Sequence, residues 1–247
     1  MSPDPQTFTH AKPSAIERRS RCSRCWQPRF ACFCADFKPQ SLPFQLLILI
    51  HPIERKRRLA SGRLLHALIE NSICYEGEEF IDHPGLQRLL SDTRLMPFVL
   101  SPGPGSVDLD RLDLQARRSL LMPMPPDDRR LLLILIDGTW ATARRMLRSP
   151  QLTSLPRLMF SPQQSSRFIV RQQPAPNCLS TLEATAEFIE RFALDPESRP
   201  DGEFLQAPTV ARGLRLAFAK LIREHLERDP SGTYAPNLQL AEEFEQV

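Results

Sequence analysis

Four residues that could do chemistry follow one another at positions 137–140, namely Asp137, Gly138, Thr139 and Trp140. The six residues before them, 131–136, are all apolar, and such a run is typical of a strand buried on both sides of a parallel sheet. Ligands of open α/β sheets bind at the carboxyl ends of the strands. The sequence therefore predicts a reaction site at this tetrad.

The carboxyl group of Asp137 is the first candidate for proton transfer. Free aspartate has a pKa of about 3.9 and is a poor proton acceptor, but burial at a strand end raises the pKa of such a group. An alternative is that Asp137 or Thr139 only caps the next helix, although a cap requires neither Gly138 nor Trp140. Trp140 itself has two interpretations, stacking on a nucleobase or anchoring the helix in the core.

Polar residues also follow a second apolar strand, at 44–50, in the order His-Pro-Ile-Glu at 51–54. The carboxyl ends of parallel strands meet at one edge of a sheet, so we expect His51 and Glu54 to reach the same site as Asp137. For Glu54, a loop ion pair with a neighbouring arginine is the alternative. The arginines concerned are Arg55, Arg57 and Arg58.

Ser180 and Glu183 have the spacing of a capping box, in which a hydroxyl and a carboxylate satisfy free N–H groups at a helix start. Capping alone explains both residues without a ligand. A helix start also binds carboxylates and phosphates, so the two roles can coexist.

Four of the six cysteines lie within 13 residues, in the pattern Cys-x2-Cys-x6-Cys-x-Cys. Two close pairs joined by a short loop can supply four thiolates to a tetrahedral zinc ion. The alternatives are two disulfides, which a reducing compartment disfavours, or four unrelated thiols. A closed four-thiolate site has no open position, so we predict a structural zinc. The predicted ligands are Cys22, Cys25, Cys32 and Cys34.

The 247-residue chain is 41% hydrophobic, enough for a real core, and it contains no apolar run long enough to span a membrane. Its start lacks the pattern of a secretory leader, so we expect a cytoplasmic protein. Residues 1–60 carry 11 basic and 4 acidic side chains, whereas residues 181–247 carry 7 and 13. A basic front half indicates a polyanionic partner, with codon bias toward arginine as the alternative.

Strands alternate with helices along the chain, which predicts an α/β fold with a mostly parallel sheet flanked by helices. The predicted strands are 44–50, 95–100, 131–136, 157–160 and 168–171. The predicted helices are 59–70, 86–90, 139–148, 180–192 and 204–227. Residues 107–128 stay ambiguous because their prolines exclude a long helix. We expect four regions: a mobile arm at 1–20, the zinc knuckle at 21–40, a catalytic domain at 41–228 and a tail at 229–247.

Four motifs occur together in the order found in one enzyme family. They are Cys-x-Arg-Cys at 22–25, HPxE at 51–54, DxTW at 137–140 and STxEA at 180–184. Any one of them is a weak signal, but all four in sequence order are specific. Over roughly residues 20–225 the chain resembles the DTW-domain tRNA-uridine aminocarboxypropyltransferases.

The resemblance implies an enzyme that takes the 3-amino-3-carboxypropyl group from S-adenosylmethionine. The acceptor would be ring N3 of a uridine in the variable loop of tRNA, and the by-product methylthioadenosine. The resemblance also implies a SPOUT-like sheet that carries a trefoil knot at the donor site. The implied partners are tRNA and S-adenosylmethionine, and nothing in the sequence indicates a membrane or an obligate protein partner.

The motifs supply candidate site residues for this reaction. The expected catalytic residues are Asp137, Trp140, Glu54 and His51, with Glu54 receiving the ammonium group of the donor. The expected donor-binding residues are Thr139, Ser180, Thr181, Glu183 and Arg63. The arginines expected to contact RNA are Arg24, Arg58, Arg144 and Arg171. For Arg58, Arg63, Arg144 and Arg171, a solvated surface charge is the alternative.

Two other functions fit the same residues. The first is an RNA methyltransferase that uses the same donor, and the mass of the modified RNA would separate it. The second is a non-catalytic zinc protein that binds RNA, for which no methylthioadenosine would be released with any tRNA.

Overall fold

The computed structural model describes residues 20–29, 32, 34–57, 59–121, 128–171, 174–175, 177–192 and 207–227. Residues 1–19 of the predicted arm, the whole of the predicted tail, Arg58 and Phe204 lie outside the described residues. The four region boundaries and the knot stay predictions of the sequence.

One sheet of six parallel strands forms the centre of the fold, in the order β2-β1-β5-β3-β6-β4. The strands are β1 (Gln45–Ile50), β2 (Ser72–Glu76), β3 (Leu95–Leu100), β4 (Val107–Asp108), β5 (Arg130–Asp137) and β6 (Arg157–Met159). Strand β5 lies between β1 and β3, and its apolar run is almost fully buried. The prediction of a strand covered on both faces is confirmed, because residues 131–135 are all apolar and at most 2% exposed.

Seven α-helices cover the sheet in the described part of the chain. They are α1 (Ser61–Leu68), α2 (Pro84–Ser91), α3 (Leu114–Leu121), α4 (Trp140–Met146), α5 (Pro150–Thr153), α6 (Thr181–Phe192) and α7 (Ala207–Glu227). Two short 3-10 helices span Pro52–Lys56 and Leu109–Arg111. None of the described helices combines the length and the apolar composition that crossing a bilayer requires.

Successive residues of each strand face opposite sides of the sheet, and each side has its own core. On one side, Ile48, Ile50 and Leu135 pack with α1, α6 and α7. On the other side, Leu49 and Ile134 pack with α2, α4 and α5. Neighbouring residues at a strand end therefore face different groups of helices, because their side chains lie on opposite sides of the sheet.

The predicted strand at 168–171 is wrong. These residues form a turn in which the Arg171 N–H donates to the Phe168 carbonyl at 3.0 Å. The apolar side chains of this segment are explained by packing instead, since Phe168 is buried and its ring lies 5.0 Å from that of Phe218. The sequence does not predict strand β2. This strand lies at the edge of the sheet with its residues only half-buried, so it lacks a continuous apolar run.

Candidate functional site

The Asp137 side chain lies at the carboxyl end of β5 and is 2% exposed. Its Oδ1 accepts hydrogen bonds from the hydroxyl groups of Thr181 at 2.6 Å and Ser61 at 3.3 Å. Its Oδ2 is buried and has no hydrogen-bond partner among the described residues. A buried acceptor without a donor is costly, so this oxygen is the place where a ligand's N–H group would gain most.

Two helix starts converge on the Asp137 carboxyl group. Helix α1 begins at Ser61 and α6 begins at Thr181, the two residues that donate to Oδ1. A Cβ added to Gly62 would lie 2.6 Å from Asp137 Cγ, so only glycine lets α1 approach this closely. The sequence singled out neither Ser61 nor Gly62 as a site residue, since a Ser-Gly pair at a helix start has no recognisable catalytic spacing.

The surroundings raise the pKa of Asp137 from 3.8 to about 6. Burial is the largest cause, because it disfavours the charged form. The hydrogen bond from Thr181 acts in the opposite direction. The charge of Glu54 raises the pKa further, while Arg171 and the Ser61 hydroxyl lower it. The group is thus poised to exchange a proton near neutral pH.

Glu54 lies close enough to influence Asp137 and has its own partners. Its carboxylate is 1% exposed and is paired with Arg171, whose Nη2 and Nη1 lie 3.0 and 3.4 Å from the two oxygens. Arg57 Nε is 3.5 Å from the same carboxylate. Of the loop ion pairs considered for Glu54, the one with Arg57 is therefore present, but the closer partner comes from 117 residues away.

The His51 side chain lies away from the Asp137 carboxyl group, although the His51 N–H donates to the Asp137 carbonyl at 2.9 Å. Its neighbour Ile50 pairs with Asp137 in the β1·β5 register and shares its side of the sheet, so the next side chain points to the other side. There Nδ1 of His51 accepts from the Ile53 N–H at 3.1 Å, and Nε2 lies 3.2 Å from Arg145 Nη2. His51 supports the loop after β1 rather than the Asp137 carboxyl group.

Thr139 and Trp140 have separate tasks at the start of α4. The Thr139 hydroxyl accepts from the Thr142 N–H at 3.1 Å, so Thr139 is the helix cap and Asp137 is not. Trp140 is 36% exposed, which excludes the interpretation that it anchors the helix in the core. The Arg144 side chain, one turn further along, is exposed and donates to the Trp140 carbonyl at 3.2 Å.

The predicted capping box at the start of α6 is present. The Ser180 N–H donates to Glu183 at 2.8 Å, and the Glu183 N–H donates to the Ser180 hydroxyl at 3.3 Å. Glu183 also accepts from the Arg167 N–H and the Ser166 hydroxyl, at 2.6 and 2.8 Å. Both oxygens of Glu183 therefore hold the protein's own loop, and Thr181 is the residue of this motif that reaches Asp137.

The four predicted metal ligands lie together. All their sulfur atoms lie within 4.8 Å of one another. Cys25 Sγ is 3.7 Å from Cys32 Sγ, and Cys22 Sγ is 3.9 Å from Cys34 Sγ. A zinc ion with Zn–S bonds of about 2.3 Å places tetrahedral sulfurs about 3.8 Å apart, whereas a disulfide requires about 2.05 Å. The arrangement fits zinc, and the disulfide alternative is wrong.

The backbone of the knuckle favours the thiolate of Cys22, whereas burial raises the pKa of Cys25 and that of Cys34. Burial by itself would raise the pKa of Cys22, but hydrogen bonds from the backbone of Cys25 and Arg24 outweigh it and lower this pKa to about 6. Trp26 has a φ of 62°, a left-handed conformation that is rare for a bulky residue. Its N–H donates to the Cys22 carbonyl at 3.0 Å and closes the loop between the first two ligands.

Two of the predicted ligand-binding arginines join this knuckle to α1. The Arg63 guanidinium lies 4.1 Å from the centre of the Trp26 ring and donates to Glu76 at 2.7 Å. Arg24 Nε donates to the Ala67 carbonyl at 3.2 Å. Arg63 is only 8% exposed. The knuckle is thus fastened to the helix whose first residues contact Asp137.

Comparisons with known proteins agree with this arrangement of motifs. The DTW domain family matches residues 19–226. A "tRNA-uridine aminocarboxypropyltransferase 2" of Drosophila melanogaster is 33% identical over 190 residues, which cover 74% of this chain and 70% of that protein. A protein of the same name from Mus musculus is 30% identical over 175 residues, covering 69% of this chain and 55% of the mouse protein.

A more distant relative covers more of the chain. The "tRNA-uridine aminocarboxypropyltransferase A" of Arabidopsis thaliana is 24% identical over 222 residues, which are 80% of this chain and 79% of the plant protein. No solved structure matches the chain.

Proposed function

Because this chain belongs to the DTW domain family, we propose that it is a tRNA-uridine aminocarboxypropyltransferase. The names of its relatives support the coarser statement, a transferase that modifies tRNA. The finer proposal is that S-adenosylmethionine is the donor and ring N3 of a variable-loop uridine is the acceptor. The observation that carries it is the buried Oδ2 of Asp137 at the carboxyl end of β5, which has no hydrogen-bond partner within the part of the chain that the structure describes.

The donor makes few chemical demands on the protein. When bound, S-adenosylmethionine supplies a sulfonium, so that an N3–carbon bond forms as the carbon–sulfur bond breaks and the electron pair leaves with sulfur in methylthioadenosine. The protein's tasks are to position the reacting groups and to accept the N3 proton.

Asp137 performs the second task. Its Oδ2 accepts the hydrogen bond from the uridine N3–H and then the proton, which it later releases to solvent. The hydrogen bonds from the Thr181 and Ser61 hydroxyls fix Oδ1. They thereby fix the orientation of the whole carboxyl group and the position of Oδ2. A pKa of about 6 leaves most of this carboxyl group ionised at neutral pH and ready to accept.

The direct test uses the full chain, S-adenosylmethionine and unmodified tRNA. We expect methylthioadenosine and modified uridine to form in equal amounts, with the added mass of an aminocarboxypropyl group. Release of S-adenosylhomocysteine, together with a uridine heavier by one methyl group, would contradict the proposal and indicate methyl transfer. The absence of both by-products with every tRNA tested would favour a non-catalytic RNA-binding protein.

The exposed face of α4 and its last turn is the proposed contact with RNA. Trp140 and Arg144 are one turn apart in α4 and therefore lie on one side of the helix, and Arg148 follows in the turn after its end. Both arginines are exposed. A tryptophan can stack on a base while arginines bind phosphates. This face begins directly after the DxTW turn that holds Asp137.

Replacing Arg144 and Arg148 together by alanine is expected to weaken tRNA binding about tenfold at moderate salt, because two phosphate contacts are lost. The slope of log affinity against log salt should become shallower by about 1 to 2. The measurement is a filter-binding or fluorescence titration at several salt concentrations.

Arg130→Ala is the matched control. It removes one exposed positive charge at the other end of β5, seven residue steps or about 23 Å from Asp137. Equal losses of affinity in the control and in either single variant, Arg144→Ala or Arg148→Ala, would exclude the α4 face as the RNA contact.

A further inference from the structure

Glu54 is a buried carboxylate that the proposed proton transfer does not use. Its side chain is 1% exposed, although it lies in the short 3-10 helix Pro52–Lys56 that follows β1. A charge buried to this degree requires a partner. The partner is Arg171, from a turn 117 residues further along, and the two form the fork-shaped contact typical of an arginine and a carboxylate.

The two guanidinium groups around Glu54 lie nearer to solvent than Glu54 does. The Arg171 side chain is 23% exposed and that of Arg57 is 36% exposed. A negative group thus forms the floor of this cluster and positive groups form its rim. One carboxylate shared by two arginines leaves an excess positive charge on the rim, which is suited to a ligand carboxylate.

This charge pattern complements a free amino-acid group. An ammonium group has three N–H donors and no acceptor, and it matches the buried carboxylate of Glu54. A carboxylate matches the paired N–H donors of Arg171. The cluster also lies near the carboxyl group that receives the uridine N3–H, because the Glu54 N–H donates to the His51 carbonyl and the His51 N–H donates to the Asp137 carbonyl, both at 2.9 Å.

We propose that Glu54 and Arg171 together bind the amino-acid end of the donor, with Glu54 holding the ammonium group and Arg171 the carboxylate. This inference rests on the proposed function. In the absence of the donor the two side chains pair with each other, and the ligand's two charges replace that pairing one for one.

Binding the donor at this end would decide which carbon reacts. The carbon that is transferred is separated by a single carbon from the one that bears the ammonium group. An anchor beside Asp137 therefore holds the transferred carbon near N3 and turns the methyl group of the sulfonium away. Positioning of this kind is sufficient to select among several reactive carbons.

The test compares three ligands on the zinc-loaded full chain by calorimetry or equilibrium dialysis. S-adenosylmethionine has both charged groups, decarboxylated S-adenosylmethionine has lost the carboxylate, and methylthioadenosine has lost the whole amino-acid end. The wild-type protein should bind the first about 10- to 100-fold more tightly than the second, as expected for a lost charge-assisted hydrogen bond.

Arg171→Gln should reduce that preference to within about twofold, while methylthioadenosine binds as it does to the wild type. The double variant Glu54→Gln/Arg171→Gln should do the same, and it leaves no buried charge unpaired if the single variant folds poorly. Arg111→Gln is the control, because it removes an arginine from an exposed ion pair with Asp108 and should retain the preference.

Two results would overturn the inference while the proposed function stands. One is a wild-type preference that persists in both Arg171 variants. The other is an equal weakening of all three ligands, which is what a purely structural ion pair would give. A wild-type protein that transfers no aminocarboxypropyl group and binds none of the three ligands would overturn the proposed function as well.

Discussion

Asp137→Asn is expected to slow aminocarboxypropyl transfer about 10²- to 10⁴-fold, the usual contribution of a positioned proton acceptor. Asparagine keeps the size of the side chain and an oxygen for the Thr181 hydroxyl, but its amide cannot take up the N3 proton. The affinity for tRNA should stay within about twofold of the wild type, since the group is buried and contributes no surface charge. Single-turnover kinetics and a binding titration measure the two quantities separately.

The same residue predicts a pH dependence. Only the ionised form of Asp137 accepts a proton, and the pKa of this group is raised to about 6. The wild-type rate should therefore rise about tenfold per pH unit below that value and level off above it. Asp128→Asn, an exposed carboxyl group before the other end of β5, is the control and should follow the wild-type profile. A profile in Asp137→Asn that matches the wild type in height and shape would remove Asp137 from the mechanism.

Stability should change with pH in a direction that can be worked out for this group. The pKa of Asp137 is about 6 in the folded state, against 3.8 for an unperturbed aspartate, the value taken for the unfolded chain. Between these two pH values the folded state therefore holds more protons than the unfolded state. The free energy of unfolding contributed by Asp137 is fully present below pH 3.8 and is lost as the pH rises through about 6. Relative to Asp137→Asn, the wild type should lose about 3 kcal/mol over this interval, measured by denaturant unfolding.

Removing the metal is expected to cause the second large effect. Purified protein should contain one zinc ion per chain, and Cys25→Ser should lower the content well below that. Structural zinc contributes on the order of 10 kcal/mol to the folding of small thiolate sites, so the knuckle should unfold without it. Its contacts with α1 through Trp26 and Arg24 would be lost at the same time.

A fluorescence measurement distinguishes this local unfolding from a general loss of structure. The chain has two tryptophans, so Trp26 is the single reporter in a Trp140→Phe background. Chelation should move its emission toward that of a solvated indole, while far-ultraviolet circular dichroism of the helices changes little. Cys178→Ser is the control, because Cys178 is not among the four clustered thiols and the variant should keep the zinc. Zinc content in Cys25→Ser equal to that of the control would refute the metal site.

Patterns that depend on neighbouring residues were readable before any tertiary contact was known. The apolar run at 131–136 predicts a strand because it has no polar face, and the Ser180–Glu183 capping box is a contact within one helical turn. The knuckle is similar, since its four sulfurs are brought together by 13 residues of chain. In each case the interacting groups are close in sequence, so their spacing carries the information.

Contacts between distant segments were not readable in this way. The sequence offers Glu54 only the adjacent arginines as partners, yet Arg171 comes closer from 117 residues away. His51 contacts Asp137 through its backbone, whereas its side chain lies on the other side of the sheet, because one residue of strand separates opposite faces. The sequence predicts a strand at 168–171, although Phe168 and Val170 fill the core from a turn.

The sequence by itself determined the parallel α/β class, the four cysteines that cluster in the knuckle and the acid at the end of β5, since each follows from local residue order. Only the tertiary structure decided which oxygen of Asp137 has no donor among the described segments. That outcome depends on the hydroxyls of Ser61 and Thr181, which stand 76 and 44 residues away and meet only when two helices begin at the same point. Packing of separate elements sets such distances, and no spacing along the chain encodes them.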